Sequence, residues 1–171
     1  ILLDPCAGTG RMLTVAKKTL PFRNITFIGQ EKNPIAWTLA QMSAFLYNMD
    51  LKIGNSTQDA LQEILGISVE HVLMNPPFNQ SYAQYLEINS QIWDETTCRR
   101  SNLNFAWLQL ALHYIKENGD AAVILPQTSL SMQRKEDIAA RRMIIENKYI
   151  EGIICLPRGV FPSTRIKPCI W

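Results

Sequence analysis

Histidine is scarce in this 171-residue sequence: His71 and His113 are the only two, too few and too far apart to suggest a metal site. The four cysteines, Cys6, Cys98, Cys155 and Cys169, are widely separated and form no C-x-x-C pair, which leaves no redox or zinc signature. Cys155 lies in an apolar run that reads as a buried strand, where a free thiol behaves as a small hydrophobe. Neither sign of charge dominates. Seventeen basic and fifteen acidic residues give +2, and the pairs Arg99-Arg100, Arg134-Lys135 and Arg141-Arg142 read as solvated faces rather than a polyanion patch. No apolar run reaches the roughly 20 residues of a membrane span, and no signal-peptide pattern is present. The expected setting is therefore a reducing, cytoplasmic one without a membrane partner. There is also no repeat, low-complexity tract or linker, so residues 1–171 are expected to form one domain, with 47% hydrophobic residues to fill its core. The chain opens and closes inside apolar strand patterns, which reads as the core of a longer protein.

Strand and helix patterns alternate along the whole sequence. Short apolar runs at 1–4, 26–31, 51–54, 71–74, 121–125 and 150–156 read as strands, with a further one closing the chain at Trp171. Helices are expected over 11–20, over 58–65, and over 134–147. Another follows Asn33-Pro34, a good cap and first-turn pair, with Ile35, Leu39, Met42 and Leu46 at helical spacing. A further helix is expected to be capped by Ser101 and ended by Asn118-Gly119, with a stripe of Leu103, Ala106, Trp107, Leu110, Ala111 and Tyr114. Continuous apolar strands separated by helices predict a doubly wound, mostly parallel α/β sheet with helices on both faces. Ligands of such sheets bind beyond the carboxyl ends of the strands. Asp4, Glu31 and Asn75 all fall at such ends.

Three clusters carry chemistry. Asp4-Pro5-Cys6-Ala7-Gly8-Thr9-Gly10 leads from a strand through a glycine turn into a helix, letting backbone N–H groups approach a ligand. Leu13 stands where a dinucleotide fingerprint needs its third glycine, and no Gly-Lys-Ser/Thr follows to make a P-loop. A carboxylate ahead of the glycines suits an ammonium group better than a pyrophosphate. Glu31 lies some 20 residues on, where an acidic residue commonly holds ribose hydroxyls. Together the two describe a nucleoside with an amino-acid tail, for which S-adenosylmethionine is the obvious candidate. The third cluster, Asn75-Pro76-Pro77-Phe78, leaves a strand as a stiff loop. The Asn75 side-chain oxygen and the Pro76 carbonyl can accept two hydrogen bonds from an amine beside the flat face of Phe78. Such a grip shifts a conjugated amine toward tetrahedral and places it for in-line attack, with no strong base needed.

With these residues the chain resembles the modification subunit of type I restriction-modification systems, amino-group DNA methyltransferases of the class I S-adenosylmethionine-dependent fold. Asp4 to Gly10 is similar to the family's cofactor turn, and Gly29-Gln30-Glu31-Lys32-Asn33-Pro34 to its acidic second-strand motif. Asn75-Pro76-Pro77-Phe78 resembles its catalytic tetrapeptide. Asn104-Phe105-Ala106-Trp107-Leu108-Gln109, the strands near 121–126 and 154–157, and the segment 161–169 resemble its later elements. The resemblance implies Asn75, Pro76, Pro77 and Phe78 as catalytic residues. It implies Asp4, Pro5, Ala7, Gly8, Thr9, Gly10, Glu31, Lys32, Asn55 and Ser56 as cofactor contacts, Asn55 standing where the family often has Asp. The implied reaction transfers a methyl group from S-adenosylmethionine to the exocyclic nitrogen of an adenine flipped from duplex DNA and stacked on Phe78. The implied partners are double-stranded DNA, the specificity subunit and the restriction subunit. The family's amino-terminal helical region and target-recognition region have no counterpart within these residues.

Two other readings compete. Protein-glutamine methyltransferases use a similar Asn-Pro-Pro motif, but usually with Tyr at the position of Phe78, and the segment 161–169 does not suit them or the RNA amino-group methylases. A non-catalytic module of the same fold is the other alternative. Intact Asn75, Phe78 and Glu31 weigh against it. The polar stretch 79–100 is long for a connection, and its Tyr82, Tyr85, Trp93 and Arg99 are candidates for a DNA-facing lid.

Overall fold

Asn33-Pro34 starts a helix as its residue types demand. The Asn33 side-chain oxygen accepts hydrogen bonds from the N–H groups of Ile35 and Ala36 at 2.9 and 3.0 Å. A computed structural model describes residues 1–20, 24–81, 101–161 and 165–171 of the chain. The element order is β1 (Leu2–Asp4), α1 (Arg11–Thr19), β2 (Phe27–Gly29), α2 (Pro34–Leu46), β3 (Leu51–Lys52) and β4 (Val69–Met74). It continues with α3 (Asn104–Tyr114), β5 (Ile115–Pro126), a 3₁₀ turn (Gln127–Leu130), α4 (Lys135–Glu146), β6 (Ile154–Cys155) and β7 (Pro168–Ile170). The strands form one seven-stranded sheet in the order β3-β2-β1-β4-β5-β7-β6. Pairs β1–β2, β1–β4 and β2–β3 are parallel, and β7 runs antiparallel to both β5 and β6. The mostly parallel α/β architecture expected from the alternating patterns is present. Among the described residues, no helix is long and apolar enough to cross a membrane.

The chain forms two compact units, Ile1–Asn75 with Tyr114–Ala121, and Pro76–His113 with Ala122–Trp171. The first packs Leu2, Ala7, Leu13, Phe27, Ala40, Met49 and Ile53 into a core, with Trp37, Ala44 and Leu73 against it. The second buries Leu103, Phe105, Trp107, Leu110, Leu125 and Ile144. There the Trp171 ring meets Phe105 edge-on at 6.0 Å, and the Arg141 guanidinium lies 6.0 Å from the same ring.

Several expectations need correcting. No helix forms over 58–65. Asp59 instead closes a single turn, its carbonyl accepting from Gln62 and Glu63 N–H, and Gly66 follows too soon for more. Helix α3 ends at Tyr114, and Asn118-Gly119 lies inside the long strand β5, where Asn118 takes a left-handed φ of 65°. The start of α3 is served by Asn102, whose side chain accepts from Asn104 N–H at 3.0 Å, and not by Ser101. Strand β6 is only two residues long and exposed, so Cys155 is exposed rather than buried; Cys169 on the neighbouring β7 is the buried thiol. On α2 the row Ile35, Leu39, Met42 and Leu46 faces outward, with Phe45 beside it 87% exposed. The inward row is Trp37, Ala40 and Ala44, because the small alanines let the helix approach the glycine turn. The candidate DNA-facing residues Tyr82, Tyr85, Trp93 and Arg99 lie outside the described residues, as do 162–164 of the closing segment.

Candidate active site

Strand β1 ends at Asp4, and the chain turns through Gly8 and Gly10, which hold left-handed φ values of 55° and 75°. The left-handed φ calls for glycine at Gly10, where a side chain would lie in van der Waals contact with Ala40 at 3.4 Å. The turn is laced to the end of β2: Ala7 N–H donates to the Gln30 carbonyl at 2.9 Å, and Gln30 N–H to the Asp4 carbonyl at 3.1 Å. Glu31 completes the lacing with its side chain. One carboxylate oxygen accepts from Gly8 N–H at 2.8 Å and the other from Asn33 N–H at 2.7 Å, joining the turn to the start of α2. A carboxylate has about four acceptor sites, so two remain for hydroxyl donors from a ligand.

Asp4 is 1% exposed, and its Oδ1 accepts from Cys6 N–H at 3.0 Å. Burial pushes its carboxyl up to about 7; the Cys6 hydrogen bond offsets part of this, and the negative charge of Glu31 adds to it. Among the described residues this buried carboxyl has one amide donor and no cation beside it. Burial and the neighbouring carboxylates of Asp4, Glu31 and Asp59 push the Cys6 thiol well above its usual range, which makes it inert as a nucleophile.

Asn75 belongs to the same edge. Strand β4 runs parallel to β1, pairing His71 with Leu2 and Val72 with Leu3, so Asn75, one residue past Met74, leaves the sheet at the carboxyl end where Asp4 lies. Its side chain has no hydrogen-bond partner among the described residues. The unit boundary falls after Asn75. In the second unit Pro76 is buried, Pro77 is exposed, and Phe78 packs edge-on against Phe161 at 6.2 Å and 71°.

The other candidate cofactor residues are placed unevenly. Pro5 and Ala7 are buried in the turn; Thr9 is exposed, its carbonyl accepting from the Ser43 hydroxyl. Lys32 reaches Asp59 at 3.5 Å. Asn55 and Ser56 are exposed after β3, and Asn55 also lines an open groove of about 420 Å³ with Gln41, Ala44, Leu51, Lys52, Ile53 and Gly54. That groove includes neither Asp4 nor Glu31, so it is separate from the turn.

Sequence reasoning gave Gln30 no role. It is fully buried, its amide donating to the Glu63 carbonyl at 2.7 Å and its oxygen 3.5 Å from the Tyr114 hydroxyl, which itself accepts from Leu65 N–H. Gln30 thus anchors the segment that presents Glu31. The available signal was its place between Gly29 and Glu31, on the opposite face of an extended segment.

Comparison with known proteins agrees with this architecture. The N-6 DNA Methylase family matches residues 1–171. The methylase subunit of the HindI type I restriction enzyme of Haemophilus influenzae is 28% identical over 98% of the chain, and the MjaIX methylase subunit of Methanocaldococcus jannaschii is 24% identical over 99%. The type I restriction-modification methyltransferase subunit of Streptococcus thermophilus superposes with a TM-score of 0.85 over 99% of the chain at 25% identity. The chain spans 40%, 32% and 38% of these three proteins. A Listeria monocytogenes protein of the class I S-adenosylmethionine-dependent methyltransferase fold superposes at 0.77 with 22% identity, covering 51% of that protein. The chain belongs to the N-6 DNA Methylase family.

Proposed function

We propose that this chain is the catalytic core of an adenine-N6 DNA methyltransferase of a type I restriction-modification system, with S-adenosylmethionine as its methyl donor. The observation that carries this reading is the pairing of two carboxylates of different character on the edge from which Asn75 leaves. Asp4 is buried with no cation beside it among the described residues; Glu31 is fixed by two backbone N–H groups with acceptor sites to spare. The first suits an ammonium group and the second a ribose diol, so the donor set fits the cofactor. Gly8 has no atom within 4 Å of where a side chain would project, which leaves room for close approach to the turn. Pro5, Ala7, Thr9 and Gly10 shape that turn, Lys32 flanks Glu31, and Asn55 and Ser56 are assigned to the adenine end of the cofactor.

When bound, the cofactor supplies an electrophilic methyl group on sulfonium. The chain's own residues then act on the substrate amine. Asn75 Oδ1 and the Pro76 carbonyl accept hydrogen bonds from its two N–H groups, which draws the nitrogen out of conjugation and frees its lone pair. Two fixed φ angles at Pro76 and Pro77 hold those acceptors still, and Phe78 provides a face for the flipped base. Positioning supplies most of the rate gain. The amine loses its proton after transfer, so no basic side chain beside Asn75 is required. Duplex DNA, a specificity subunit that selects the site, and a restriction subunit are the partners of this reading.

The test is methyl transfer from labelled S-adenosylmethionine to unmethylated DNA by the full-length protein with its specificity subunit, followed by nucleoside analysis. Label in N6-methyl-2′-deoxyadenosine is the expected result. Label on protein glutamine instead, or cofactor binding with no transfer, would move the chain to one of the competing readings.

A further inference from the structure

We infer that Asn104 and Asn102 are positioning residues for the amine-binding motif, acting through Asn79. Asn79 directly follows Phe78 and holds a left-handed φ of 57°. Its N–H donates to Asn104 Oδ1 at 2.9 Å, and its Oδ1 accepts from the amides of Asn104 at 3.1 Å and Asn102 at 3.0 Å. Asn102 Oδ1 accepts in turn from Asn104 N–H at 3.0 Å, and Leu103 N–H donates to the Gln80 carbonyl at 2.8 Å. Asn104 is completely buried and Asn102 nearly so.

Two amides are an expensive way to start a helix, because each buried polar group must find partners, and a single hydroxyl would suffice for a cap. Here their capacity is directed at one exposed residue. The φ of Asn79 is the rotation that sets how the preceding chain leaves, and that chain is Pro76-Pro77-Phe78. Prolines do not absorb an angular error; they transmit it to the Pro76 carbonyl and the Phe78 ring. Asparagine tolerates the left-handed region through local hydrogen bonding better than most residues, and the clamp removes its alternatives.

This role rests on the methyl-transfer reading, and the experiment separates the two. In the full-length protein with its specificity subunit, Asn79→Ala removes the acceptor and disfavours the left-handed φ at an exposed position. We expect kcat to fall roughly 10- to 100-fold, the scale of a small misplacement of reacting groups. Cofactor Kd should stay at the wild-type value and the loss should fall on kcat in protein that still folds, although the unpartnered Asn102 and Asn104 amides lower its melting temperature; a merely structural role would not spare the cofactor site. Asn79→Asp keeps the acceptor and should restore kcat. Slow amide exchange at Asn79 and Leu103 in the wild type is the accompanying sign of the clamp. A wild-type kcat in Asn79→Ala, an Asp variant no better than Ala, or fast exchange at both amides overturns this inference alone. A wild-type complex that transfers no methyl group to adenine refutes the parent reading and this role with it.

Discussion

Raising the pH from 6 to 8 should tighten S-adenosylhomocysteine binding about tenfold, with little change above pH 8. The ligand's ammonium needs Asp4 ionised, and burial holds that carboxyl near 7, where its ordinary value is 3.8. Only about a tenth of the molecules carry the charge at pH 6, whereas most do at pH 8, and affinity follows that fraction. Folding responds with the opposite sign. A carboxyl whose pKa is raised by folding contributes stability that is full below its ordinary value and is lost as pH rises through the folded one. The span from 3.8 to about 7 corresponds to roughly 4 kcal/mol, at about 1.36 kcal/mol per pH unit. Calorimetric titration across pH 6–8, paired with thermal melts without ligand, measures both arms. Asp4→Asn keeps an acceptor for Cys6 N–H but cannot ionise. It should bind the ligand weakly at every pH, lose the pH dependence, and melt higher than wild type at pH 8. A wild-type Kd that is flat over this range, or an Asn variant that binds as tightly as wild type, would refute the assignment of Asp4.

Asn75→Ala should abolish methyl transfer while leaving cofactor affinity nearly unchanged, since its side chain has no hydrogen-bond partner among the described residues; equal loss of both, by titration and turnover, contradicts the role. Glu31→Gln sets an amide donor against a backbone N–H, costing about 1–3 kcal/mol, so cofactor Kd should rise at least tenfold and the melting temperature should fall with it. Gly10→Ala combines an unfavourable φ with contact against Ala40 and should destabilise the first unit by about 1–2 kcal/mol in a denaturant titration. An unchanged midpoint would show that the turn relaxes without cost.

Much of the carboxyl edge could be read directly because its signals are local. Asn33-Pro34 marks the start of α2 by capping chemistry alone, and a strand followed by Asp4 and the glycines leaves few conformations open. The failures came where a pattern's meaning depends on distant partners. The row Ile35, Leu39, Met42 and Leu46 reports a helix correctly but not which face is buried; that was decided by Ala40 fitting against Gly10. Apolar residues around Cys155 suggested burial, yet β6 is the sheet's last strand and leaves them exposed. Residues 58–65 have helical periodicity, but the chain there is spent on reaching Gln30 and Tyr114 with the Glu63 carbonyl and Leu65 N–H. The asparagine clamp was invisible because its members are separated by more than 20 residues and linked only through hydrogen bonds.

The double attachment of Glu31 has an evolutionary side. A lineage that abandoned methyl transfer would still need this carboxylate to tie Gly8 to Asn33, so selection for folding alone preserves it. Among the described residues the Asn75 side chain ties nothing together, so it is free to drift once turnover ceases to matter. When relatives of this chain are sorted into working enzymes and retired scaffolds, a surviving Glu31 therefore carries little information, and a surviving Asn75 carries much.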